Sequence, residues 1–76
     1  MTSAKYITAK EIAQKYALSY QSINRYSDAG LLPVAFKKGN IRYFERSVVI
    51  KRMKTILEMS KDGYSLLLIR KKILGI

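Results

Sequence analysis

The sequence predicts a mainly α-helical domain with a small β-hairpin: four helices, with a two-stranded ribbon between the second and third. Three observations predict it. Thr8, Ser19, Glu45 and Ser65 each precede an apolar run at helical spacing, where a capping residue belongs. After Pro33 the pattern changes period, and Val34–Lys37 and Ile41–Phe44 flank Lys38-Gly39-Asn40, a glycine-containing connection of hairpin type. Finally, 49% of the 76 residues are hydrophobic, enough for one packed domain over 1–76 and too many for a disordered chain.

Residues 1–7 form a lead-in ending in Tyr6-Ile7, an apolar pair suited to stapling the helix that follows. Thr8-Ala9-Lys10-Glu11 is a capping box and opens a helix over 9–16, with Ile12, Ala13 and Tyr16 on one side. Ala17-Leu18 turns tightly into Ser19, the cap of the second helix. Gly30 can take the left-handed conformation that closes this helix, and Pro33 cannot continue it. Inside those limits Gln21, Asn24, Arg25 and Asp28 fall at i, i+3, i+4 and i+7 and form a polar stripe. Ile23, Tyr26 and Ser27 lie on the other side, with Tyr20 at the margin. Two amides, a guanidinium and a carboxylate can read base edges in a major groove, whereas an ordinary solvated face more often carries Lys and Glu. Two short helices joined in this way describe a helix-turn-helix, although small bundles contain such pairs too.

The ribbon carries Lys37, Lys38 and Arg42, with Arg46 just beyond. Lysines on an edge strand also deter aggregation. Their clustering with Arg25 favours a wing that grips phosphates or enters a minor groove. The expected fold is therefore a winged helix-turn-helix. Glu45 is expected to cap a helix over 46–61 whose inward face is Val49, Met53, Ile56 and Leu57, with Ser60 on the same line. Asp62-Gly63 ends it, and Ser65 caps a last helix over 66–74 with Leu66, Ile69 and Ile73 inward. Leu67, Leu68, Leu74 and Ile76 fall outside that stripe, and so much spare aliphatic surface points to self-association or to further chain.

Charge narrows the function classes. Fifteen Lys and Arg against five Asp and Glu give +10, a self-repulsion that a polyanion relieves. Nucleic acid is the first candidate. A membrane surface is a weaker one, because the cations are spread over several elements. Without cysteine or histidine there is no disulfide framework, no thiolate metal site and no imidazole base, and no cofactor or small-molecule effector is evident. The carboxylates lie in different elements and no nucleophile has a base beside it, so an enzyme is not expected. The first residues lack a signal-type apolar core, and the longest aliphatic run, Leu66–Ile69, is too short to span a bilayer. A cytoplasmic, nucleoid-associated protein is the expectation.

The order and spacing of these features resemble the DNA-binding domain of MerR-type transcriptional regulators and their small relatives. The resemblance rests on Thr8 with Glu11-Ile12-Ala13, Ser19 through Tyr26, Gly30-Leu31-Leu32-Pro33, Gly39 with Arg42-Tyr43-Phe44, and Gly63-Tyr64-Ser65-Leu66 with Ile69. It implies a second helix in the major groove, holding Gln21, Asn24, Arg25 and Tyr26, and a wing on the flanking backbone, holding Lys38 and Arg42. Typical members have Arg-Tyr-Tyr where this chain has Asn24-Arg25-Tyr26, an order closer to small BldC-like regulators and phage excisionases. The dimerisation helix and effector domain of typical members have no counterpart in these residues, so DNA binding alone carries over.

The expected function is thus a sequence-preferring double-stranded DNA-binding transcriptional regulator. Its site residues are Ser19, Tyr20, Gln21, Asn24, Arg25, Tyr26, Lys37, Lys38, Arg42 and Arg46. Arg25 suits a guanine edge or a phosphate, and Gln21 and Asn24 suit adenine. The alternatives are an architectural factor that coats or bends DNA (of excisionase, nucleoid or segregation type) and a basic RNA-binding module. Six tyrosines would allow the latter to stack on bases, but most of them fall at inward or capping positions.

Overall fold

The computed structural model describes residues 5–75. Thr8 is both the last residue of strand β1 (Tyr6–Thr8) and the N-cap of helix α1 (Ala9–Tyr16). Glu11 N donates to Thr8 Oγ1 at 3.2 Å and Thr8 N donates to Glu11 Oε1 at 3.0 Å, so two orphan donors are satisfied reciprocally. A turn through Ala17 leads to α2 (Tyr20–Asp28), where Ser22 N donates to Ser19 Oγ at 3.0 Å. Gly30, at φ +83°, closes α2 while Leu31 N donates back to Tyr26 O at 2.9 Å. A Cβ at this position would stand 3.3 Å from Leu74 Cδ1, which the leucine tip could ease by a small shift, so it is the positive φ that calls for glycine here.

The ribbon follows as β2 (Phe36–Lys38) and β3 (Ile41–Glu45), then α3 (Arg46–Lys61) and α4 (Leu66–Leu74). Lys38 pairs with Ile41 across Gly39-Asn40, with Gly39 at φ +62°, as a two-residue turn of type II′ requires. Ile12, Ile23, Leu31, Leu32, Phe44, Met53 and Ile56 are fully buried where α1, α2 and α3 meet the inner face of the sheet. Each such side chain contributes about 1.5–3 kcal/mol relative to an exposed one. Ile69 of α4 joins this core, with Leu66 and Ile73 packed against it.

The four helices lie where their caps and periodicity place them. Several details differ from expectation. The two-stranded ribbon is part of a three-stranded antiparallel sheet in the order β1-β3-β2, because Tyr6–Thr8 is a strand on the second edge of β3 and not merely a lead-in. Ile7 pairs with Phe44, and both are buried. The outer strand begins at Phe36 instead of Val34; Ala35 only ties in through its N, which donates to Tyr43 O at 2.8 Å. Glu45 occupies the N-cap of α3 without a side-chain cap bond, because its Oε1 accepts from Ser47 Oγ at 3.0 Å. Ser60 is exposed instead of continuing the inward face. Leu74 is half-buried over the bare backbone of Gly30, so it is not spare surface, whereas Leu67 and Leu68 are exposed. Residues 1–4 of the lead-in and Ile76 lie outside the described residues.

Candidate nucleic-acid interface

Once Ile23 is buried, the helical period turns Gln21, Arg25 and Asp28 outward, and all three are exposed. Asn24, on the flank of this ridge, is half-buried, and its Oδ1 is shielded without a hydrogen-bond partner. Tyr26 is half-buried against the core. Ser19, though exposed, is engaged as the cap, and its hydroxyl also donates to Ser22 Oγ at 2.9 Å. Tyr20 is half-exposed and lines an apolar groove of about 430 Å³ with Thr8, Ala9, Lys10, Ile41 and Arg42. That groove is the seam between the starts of α1 and α2 and the wing.

Pairing within the ribbon sets the cations. Lys37 faces Arg42 across the ladder, and exposed Lys38 sits at the tip opposite Ile41. Arg42 Nη1 donates to Asp28 Oδ1 at 3.1 Å, an ion pair that ties the wing to the last turn of α2. The helix ridge and the cationic ribbon are therefore neighbours on one side of the molecule. Arg46 stands apart, at the far end of β3 and about 13 Å along the strand from Arg42. There it lines a separate depression with Lys5, Glu45, Ser47 and Ile50.

A paired-helix unit with an exposed polar ridge and a basic wing beside it is the architecture of a DNA-binding winged helix-turn-helix. The family profile of the MerR HTH family of regulatory proteins matches residues 7–75. The chain belongs to that family. No significant match was found among curated proteins or among solved structures. MerR-type helix-turn-helix domains bind double-stranded DNA, and the family is one of transcription regulators and not of enzymes. Among the described residues no helix is long and apolar enough to cross a membrane, and no cluster of acidic side chains is placed to hold a metal ion.

In this MerR-family domain two groups of residues near the interface escape a reading of the sequence. Ser60 and Tyr64, at the junction of α3 and α4, line a shallow groove with Ser22, Arg25 and Tyr26 and so extend the surface around Arg25. The second group positions the helix. Arg70 Nε donates to Ala29 O at 2.8 Å and Arg52 Nη1 to Leu31 O at 3.1 Å, so two arginines satisfy carbonyls where α2 ends. Lys10 joins the groove beside Tyr20 from the first turn of α1. None of these placements has a local signal, because each brings together elements that lie far apart in the sequence.

Proposed function

We propose that this domain is a sequence-preferring DNA-binding regulator whose α2 lies in the major groove while the wing follows the flanking backbone or minor groove. The observation that carries the reading is the placement of the basic wing beside the exposed ridge of α2, where Arg42 and Asp28 meet at 3.1 Å. Arg25 takes a guanine edge or a nearby phosphate, and Gln21 takes adenine. Asn24 joins it by rotating its shielded amide oxygen outward. Tyr20 and Tyr26 pack on sugar or a thymine methyl at the edges of the ridge, beside the cap Ser19. Lys37, Lys38 and, at the base of the sheet, Arg46 supply affinity without sequence information, while Arg42 stands beside them paired with Asp28.

Duplexes selected from a randomised pool provide the test. Arg25→Ala weakens binding to the preferred duplex by about 1–3 kcal/mol and blurs its selectivity. Lys38→Ala weakens all duplexes alike and flattens the salt slope by about one unit. If both variants affect random and selected duplexes identically, the division between reading helix and wing is wrong. If heparin competes as well as the selected duplex, DNA recognition itself is wrong.

A second reading, an architectural factor that coats DNA side by side in the nucleoid, is favoured by Leu67 and Leu68, which leave an aliphatic patch on α4. On DNA the phosphates neutralise the charge that keeps free copies apart. A footprint that lengthens cooperatively with protein concentration supports the coating reading, and one confined to a single short site supports the regulator.

A further inference from the structure

The five carboxylates of this strongly basic chain are placed unevenly. Glu11 closes a capping box, Glu45 accepts from Ser47, and Glu58 and Asp62 lie at the end of α3. Asp28 alone sits on the exposed ridge of α2, and it sits on a wing cation. A carboxylate facing a phosphate backbone opposes binding, so its position in a DNA-facing ridge needs a physical account. We propose that Asp28 is a specificity-determining residue: its carboxylate withholds Arg42 from the phosphates of arbitrary DNA and accepts a hydrogen bond from a cytosine N4 amine in preferred DNA. This inference rests on the DNA-binding reading above.

The geometry suits both halves of the role. Oδ1 is bonded to Arg42 Nη1, yet the Asp28 side chain is 68% exposed, so the carboxylate keeps acceptor capacity open to the groove. Lys37 lies directly across the ladder from Arg42, and that like charge favours Arg42 staying with Asp28 in the free protein. On an arbitrary duplex, moving Arg42 to a phosphate strands the carboxylate among anions. Leaving the pair intact forgoes one phosphate contact. Either route costs affinity. Where cytosine faces the end of α2, its amine, the base's polar group in the major groove, donates to Asp28 and offsets that cost. Guanine and thymine present acceptors there and repel the carboxylate. Specificity then comes from a repulsive element as much as an attractive one.

Asp28→Asn removes the charge and keeps the size. Selection from a randomised duplex pool is run with the wild type and Asp28→Asn, followed by affinity measurements over a range of salt on the selected and a random duplex. The expected result is loss of one cytosine preference from the selected motif. The random duplex binds Asp28→Asn about three- to tenfold tighter, with a salt slope steeper by about one unit. Adding Arg42→Gln to Asp28→Asn abolishes the gain. An unchanged motif and affinity overturn the inference. So does equal weakening on every duplex, with a lowered melting temperature, since the pair then only braces the wing. A wild type that enriches no motif overturns the sequence-preferring reading as well, so the two failures are distinguishable.

Discussion

Ala17 holds φ +54° in the turn between α1 and α2 and is the one non-glycine residue at positive φ among those described. Its Cβ crowds the backbone there, a cost of about 1–2 kcal/mol that glycine escapes in exchange for a larger loss of chain entropy on folding. Ala17→Gly is therefore expected to stabilise the domain by about 0.5–1 kcal/mol, seen as a higher urea midpoint at unchanged slope. A lower midpoint would show that the turn gains more from a restricted unfolded chain than it loses to strain. At this scale the local signals were legible. Thr8, Ser19 and Ser65 cap where they stand because a hydroxyl and the amides it serves are only three residues apart. The Asp28–Arg42 pair was not legible as a contact, because it joins two elements fourteen residues apart in sequence. The same holds for the shielding of Asn24 Oδ1, since helical spacing alone puts Asn24 on the polar stripe.

Elements were read well where they repeat a period and poorly where a neighbour specifies them. Three residues cannot display alternation, so Tyr6–Thr8 carries no strand signal of its own; it is a strand because β3 offers a second edge and Ile7 meets Phe44. Leu74 turns inward for a similar reason, the missing side chain at Gly30. The outer face of the sheet shows what steadies a short wing. Phe36 stacks on Tyr43 with centroids 4.8 Å apart and planes at 9°, and Tyr6 meets Phe36 edge-on at 5.0 Å. Phe36 is nonetheless 42% exposed, close to the 39% of Val34, which has no such ring partners. If ring contacts hold the wing, Phe36→Ala costs about 1–2 kcal/mol in chemical denaturation while Val34→Ala stays within about 0.5 kcal/mol. Similar small losses in both would mean that the ribbon is held by its ladder alone.

At the scale of the whole molecule, charge sets two opposite responses to salt. A net +10 on a molecule of 36 × 24 × 21 Å places neighbouring cations, though not those on opposite faces, within a screening length of one another at moderate ionic strength. The screening length there is about 10 Å at 0.1 M and shrinks to about 3 Å at 1 M. The exposed ion pair of Arg42 with Asp28 relieves little of that repulsion, and screening by salt relieves more of it in the free protein. Sodium chloride raised from about 0.1 to about 1 M is therefore expected to raise the melting temperature of the free domain by several degrees. Duplex affinity moves the other way, because each phosphate contact releases a counterion and log K falls linearly with log salt. Paired melting and binding titrations over one salt series check both signs. A melting temperature that falls with salt would mean that attractive pairs dominate the folded surface. The excess of cations would then be compensated within the fold, and not held available for a polyanion.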